Sequence, residues 1–229
     1  MTEQTPLITL EDVSVRLDRR TILDNVDLSI RKGDFVAITG PNGGGKTTLL
    51  RVILGLLKPS SGCVRYFDNG SAVRHLHIGY LPQKNNIDTR FPITAGEAIR
   101  SGLLTGFFSR FSDADKNRYH EVCRLTETED FLDRPIGVLS GGQLQRTLLA
   151  RAIISDPSVL ILDEPLSYVD KHFEHRIYSI MEQLASRCTI ILVSHEMSVI
   201  SEMANRHVIV DHTLHECRAA SHFRRSECD

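Results

Sequence analysis

The stretch GPNGGGKT, Gly40 to Thr47, gathers four glycines and one lysine in the spacing G-x-x-x-x-G-K-[ST]. Gly40, Gly43, Gly44 and Gly45, with Pro41 and Asn42 between them, let a backbone wrap closely with its N–H groups turned inward. Lys46 can reach the outer phosphates of a nucleotide, and the Thr47 hydroxyl, followed by Thr48, can hold Mg²⁺. Farther on, the apolar run VLILD ends on Asp163 and is followed by Glu164. The first acid can bind the Mg²⁺ shell, and the second can orient or deprotonate an attacking water. Four apolar residues followed by Asp-Glu are common, and the cradle in the same chain is what makes the pair specific. His195 follows the run IILVS, which places it too at the carboxyl end of a strand, where nucleotide sites in parallel sheets open.

A second anion-binding feature stands apart from these. LSGGQLQR, Leu139 to Arg146, puts Ser140, Gly141 and Gly142 at the front of a helix expected over Gln143–Ile154. Such a front offers a nest of backbone N–H groups. A chain with one phosphate cradle has no evident use for another.

These residues need a scaffold of alternating strands and helices. LITLEDVSVRL and TILDNVDLSI alternate apolar and polar residues, as strands with one buried face do, and the polar turn DRR joins them. DFVAITG enters the cradle as a short apolar strand, and a helix is expected from Lys46 to about Leu57, ended by Pro59 and SSG. HIGYLP is a further strand, leading to Gln83. From Thr94 to Leu132 the texture turns helical, with Ser112 or Asp113 as N-cap of DADKNRYHEVCRLT. VLILD and CTIILVS are wholly apolar, the mark of strands buried in a parallel sheet, with a helix from about Asp170 to Ala185 between them. The helix EMSVISEMA and the strand HVIVD complete an α/β series. There is no internal repeat and no low-complexity linker. The expected division is a nucleotide-binding core over 1–93 and 155–211, a helical subdomain over about 94–154, and a polar tail over 212–229.

At 229 residues the chain can bury a full core as one domain. Its 27 Lys+Arg against 29 Asp+Glu give a net charge of −2, which argues against nucleic-acid binding through bulk charge. MTEQTPLITL has no basic start or long apolar stretch of a secretory signal, and no apolar run approaches the ~18 residues of a membrane span. Any membrane role is expected to come through a partner. The 5 Cys are scattered without a CxxC pair, as in a cytoplasmic protein with reduced thiols.

With cradle, LSGGQ, acidic strand and histidine in this order, nearly the whole chain resembles the ATP-binding cassette (ABC) ATPases. LSGGQ, Leu139 to Gln143, resembles the family's signature motif. Gln83 in GYLPQ is similar to its Q-loop glutamine, SYVD (Ser167–Asp170) to its D-loop, and His195 to its switch histidine. The resemblance implies an α/β P-loop fold with a parallel core sheet, an N-terminal antiparallel β portion and a helical subdomain. It implies ATP with Mg²⁺, the cation held by Thr47, Gln83 and Asp163, with Glu164, His195 and Lys46 catalytic. It also gives the second nest a purpose, because two cassettes of the family pack head to tail and the signature of one closes over the ATP of the other. The implied partners are a second copy of the chain, transmembrane permease subunits and a substrate-binding protein, at the cytoplasmic face of the membrane.

Two departures stand out. The family's adenine-stacking aromatic falls here on Leu17, which can cover a base but offers no π stacking. Gly44 replaces the commoner Ser or Ala, a change expected to matter little. LPQKNNIDTRFPITAGEAI further resembles the same segment in manganese, zinc and iron importers. A non-transport ABC ATPase acting on DNA or ribosomes is the competing class, but the chain has one cassette and no heptad run. A binding subunit without turnover is disfavoured by the presence of Glu164 and His195. His212, His215 and Cys217 have ligand types suited to Zn²⁺ but read as part of the solvated tail. His75 and His77 read as surface and strand residues, and RTLLARAI as core packing.

Overall fold

In the computed structural model, which describes residues 6–83, 88, 90–103, 111–194 and 200–217, the two alternating runs form strands β1 (Pro6–Leu17) and β2 (Arg20–Arg31). They pair antiparallel. Leu7, Ile8 and Leu10 are buried in β1, then Val13 and Val15, and the alternation of Ile8 with Leu10 slips by one residue before Val13 and Val15. A bulge produces the slip: Asp12 adopts φ 51° and the register shifts between Leu10 and Val13. On the other side of β1, β4 (Ser61–Asp68) and β5 (Ser71–Val73) complete this sheet in the order β2-β1-β4-β5. Gly62 lies against the bulge, where a Cβ would come within 2.4 Å of the Asp12 and Glu11 carbonyls. The periodicity gave no sign of β4 or β5, because their residues are only half-buried or exposed.

The second sheet runs β10 (Thr213–Cys217), β9 (Arg206–Asp211), β3 (Phe35–Thr39), β8 (Thr189–Val193), β7 (Val159–Asp163), β6 (Ile78–Leu81). All neighbours are parallel except β10, which pairs antiparallel with β9. β10 corrects the expected tail at 212–229: Thr213–Cys217 belongs to the sheet. Every residue of β7 and β8 is buried, as their continuous apolar runs require. Val159 and Ile161 face one core with Leu49, Leu50 and Ile53, whereas Leu160 and Leu162 face another with Leu144, Leu148 and Phe173. Layers on both faces thus hold the carboxyl ends of β3, β7 and β8 in place.

The helices are α1 (Lys46–Ile53), α2 (Ala95–Arg100), α3 (Asp113–Leu125), α4 (Gly141–Ile153), α5 (Lys171–Ala185) and α6 (Ile200–Met203). α1 stops short of the expected Leu57 because Gly55, at φ 70°, turns the chain out of the helix. Reciprocal capping boxes start α2 at Thr94 with Glu97, α3 at Ser112 with Asp115, and α4 at Ser140 with Gln143. Among the described residues no helix is long and apolar enough to cross a membrane.

Candidate active site

The cradle is built where β3 passes into α1. Gly40, Gly43 and Gly45 adopt φ values of 140°, 82° and 102°, a region in which other residues are strained. A Cβ on Gly40 would lie 2.0 Å from the Val210 carbonyl oxygen. Gly45 is the N-cap of α1 and no side chain caps that helix, so its first-turn N–H groups are left for an anion. Lys46 is buried, and its ammonium donates to the carbonyls of Gly40 (2.8 Å) and Pro41 (2.9 Å), inside the curve of the loop. Thr47 and Thr48 follow on the first turn of α1, half-buried.

Gly44 leaves little room for the commoner Ser or Ala. A Cβ there would meet the Val210 carbonyl oxygen at 2.7 Å and that of Pro41 at 3.1 Å. The Gly44 carbonyl accepts the His212 N–H (2.9 Å), and the His212 carbonyl accepts the Asp24 N–H (2.7 Å). The β9–β10 turn therefore braces the cradle, which ties the loop to strand β2. Gly44→Ala is expected to weaken ATP binding about tenfold and lower the melting temperature, since overpacking costs roughly 1–3 kcal/mol. Nucleotide titration and a thermal melt check this, and no change in either would show that the turn yields freely.

At the tip of β7, Asp163 is 1% exposed. Its carboxyl is pushed up to about 6 from 3.8, first by burial and second by the Glu164 charge, with Lys46 pulling the other way. Its Oδ2 is buried and has no hydrogen-bond partner among the described residues. A buried carboxylate oxygen with nothing to accept, close enough to Lys46 to feel its charge, fits a hard divalent cation. The raised pKa also sets a stability trend. The carboxyl stabilises the nucleotide-free fold fully below about pH 4, and that contribution is lost as pH rises to about 6, because the native state then holds an ionised buried acid. Asp163→Asn is therefore expected to melt higher than the unaltered chain at about pH 8, by ~2–4 °C per kcal/mol recovered, with the gap closing toward pH 4. A gap independent of pH would assign the effect to packing.

Glu164 sits at φ 53°, with its N–H donating to the Val193 carbonyl (2.9 Å). Its Oε2 accepts from the Gln83 amide (3.0 Å) and from the Ser167 hydroxyl (3.4 Å). The Gln83 bond uses the NH₂ group, so the amide oxygen is the atom available to a cation. The Glu164 carbonyl accepts from the Ser167 N–H (3.2 Å) and from the amide of Gln145 (3.4 Å), a residue that the motifs did not single out. The structure thus brings Lys46, Gln83, Asp163 and Glu164 together around the cradle. His195 lies outside the described residues. Leu17 ends β1 with 41% of its surface exposed, an apolar face open to solvent as a base-covering residue requires.

Ser140–Gly142 form a helix start. α4 begins at Gly141, two residues earlier than expected, so both glycines lie in its first turn. The Ser140 Oγ accepts the Gln143 N–H (3.2 Å), and the Gln143 side-chain oxygen accepts the Ser140 N–H (3.0 Å). Among the described residues no hydrogen bond joins Ser140, Gly141 or Gly142 to the cradle. Nor is RTLLARAI wholly core. At its head Arg146 reaches Glu127 (2.7 Å) and Asp170 (3.3 Å) and lies 4.2 Å from the centre of the Phe173 ring. Asp170 caps α5 through the Phe173 N–H (2.9 Å), and that bond first and Arg146 next hold its carboxyl below the usual range.

Comparison with known proteins agrees with this geometry. Residues 23–167 match the family described as ABC transporter. A probable metal transport system ATP-binding protein of Chlamydia trachomatis is 37% identical over 209 residues, 90% of this chain and 88% of that protein. A zinc import ATP-binding protein of Pseudomonas fluorescens is 38% identical over 210 residues, covering 88% of this chain and 75% of that protein. Among solved structures, a dimeric post-hydrolysis ATP-binding cassette bound to ADP and phosphate superposes with a TM-score of 0.79 at 26% identity, covering 93% of this chain and 100% of that one. The chain therefore belongs to the ABC transporter family, as an ATPase.

Proposed function

We propose that this chain is the ATP-hydrolysing subunit of an importer for a transition-metal ion, zinc before manganese or iron. The observation that carries this is the similarity, across 84–92% of the chain, to relatives named for zinc or metal transport. The importer-like segment after Gln83 agrees with it. In this reading two copies pack head to tail, each binding ATP at Gly40–Thr48 and offering Ser140, Gly141, Gly142 and Gln143 to the ATP of the other. Leu17 covers adenine. Thr47, Gln83 and Asp163 hold Mg²⁺, which when bound screens the phosphate charge and orients the outer phosphate. Lys46 leaves its two loop carbonyls for the phosphate oxygens, Glu164 takes the proton of the attacking water, and Asp170 fixes the D-loop against α5. The core and the helical segment 94–154 move against each other as the dimer closes and reopens, which drives permease subunits at the cytoplasmic face of the membrane, fed by a substrate-binding protein.

Deletion of the gene is expected to lower cellular zinc under zinc limitation and to slow uptake of radioactive zinc, restored by the unaltered gene but not by a Lys46→Ala copy. Loss of manganese or iron instead would reassign the cargo within the class. Unchanged uptake of all three metals would overturn the reading.

A further inference from the structure

Gln145 is a buried amide that the reaction as described leaves unused. It lies near the start of α4, 1% exposed, five residues after the cap at Ser140. Its NH₂ donates to two consecutive carbonyls, Glu164 (3.4 Å) and Pro165 (3.0 Å). Two carbonyl acceptors fix the orientation of the amide, since a flip would set its oxygen against both. Its Oε1 is buried with no hydrogen-bond partner among the described residues, a cost that an apolar side chain would avoid. Glu164 stands at φ 53°, where a residue with a side chain must be held in place. Val193 holds its N–H, and its C=O is shared by the Ser167 N–H (3.2 Å) and the Gln145 amide (3.4 Å), so both backbone groups of Glu164 are held and one of the ties comes from α4. The next residue, Arg146, grips Asp170 at the far end of the same segment. The chain from 164 to 170 is thus strapped to α4 at both ends, and the first turn of α4 is the signature itself.

We propose that Gln145 is a positioning residue that holds Glu164 in its working conformation and so links the signature helix of a chain to hydrolysis at that chain's own cradle. The link rests on the composite-site reading above. The signature serves the partner's ATP and Glu164 serves its own, so a shift of the rigid helix α4 at one site moves the backbone that carries the base of the other.

Three measurements on the purified full chain test this. Gln145→Leu, apolar and of similar size, is expected to keep ATP affinity and KM within about twofold while kcat falls about tenfold or more. Gln145→Glu faces a carboxylate with two carbonyl oxygens at about pH 8, whereas its protonated form can donate one bond. Its rate relative to the unaltered chain should therefore rise about fivefold or more as pH falls to about 6, while that of Gln145→Leu stays flat. The third measurement uses mixed dimers. A Ser140→Arg chain and a Glu164→Gln chain, each inactive alone, form one intact site on mixing. Gln145→Leu added to the Ser140→Arg chain, whose own Glu164 works, should depress the mixture about tenfold more than the same change in the other chain.

Equal effects of the two placements, or a fall in ATP affinity matching that in kcat, would overturn the proposal. If Gln145→Leu does not fold, the pH ratio of Gln145→Glu decides, and a flat ratio overturns it. A mixture inactive with Gln145 intact would sink the composite-site reading alone, and the first two measurements would then judge the bond between Gln145 and its own Glu164.

Discussion

Glu164→Gln is expected to bind ATP as the unaltered chain does and to hydrolyse it at least about 100-fold more slowly, since a positioned base contributes ~10²–10⁴. The surroundings make this a clean test. Gln83 and Ser167 both donate to one oxygen of the Glu164 side chain, and the amide oxygen of a glutamine can accept those same bonds. Its backbone ties to Val193, Ser167 and Gln145 do not involve the side chain. Geometry is kept and basicity is lost. ATP affinity by titration and single-turnover hydrolysis would measure the two properties separately. Hydrolysis at the unaltered rate would show that Glu164 is not the base, and a matching loss of affinity would show that its role is to hold the loop.

Ser140→Arg should leave ATP affinity of the single chain unchanged and abolish hydrolysis, a loss on the scale of the base itself. The first half follows because the cradle of this chain makes its contacts from 40 to 48, with no hydrogen bond to 140–142 among the described residues. The second follows from the head-to-tail dimer proposed above, in which the N–H groups at the start of α4 would face a partner's phosphate. A long cation at the N-cap fills that space and removes the Ser140 half of the capping box, at a cost of ~1 kcal/mol to the helix start. Ser140→Ala controls for the cap alone and should retain far more activity. Size-exclusion chromatography of the double variant, Ser140→Arg and Glu164→Gln in one chain, in ATP without Mg²⁺, should show no dimer where Glu164→Gln alone forms one. A persistent dimer, or weakened binding by the single chain, would assign the signature to its own chain's nucleotide.

Local physics made much of this molecule legible in its residues. The cradle reads from glycine spacing because only glycine takes the φ values found at Gly40, Gly43 and Gly45. The start of α3 reads, as Ser112 or Asp113, from capping chemistry, which involves neighbours three residues apart, and Ser112 is the cap. The buried strands β7 and β8 read from unbroken apolar runs, because both of their faces are covered. What the tertiary structure alone decided are bonds between distant residues that carry no local pattern. Gln83 and Glu164 meet across 81 positions because β6 and β7 are neighbours in the sheet. Gly44 has little room for a side chain because β9 passes its Val210 carbonyl at that spot, and His212 belongs to the cradle's support because β10 folds back on β9. Gln145 looks in the sequence like one more residue of an amphipathic helix. It becomes the clasp on Glu164 only when α4 is laid against the end of β7.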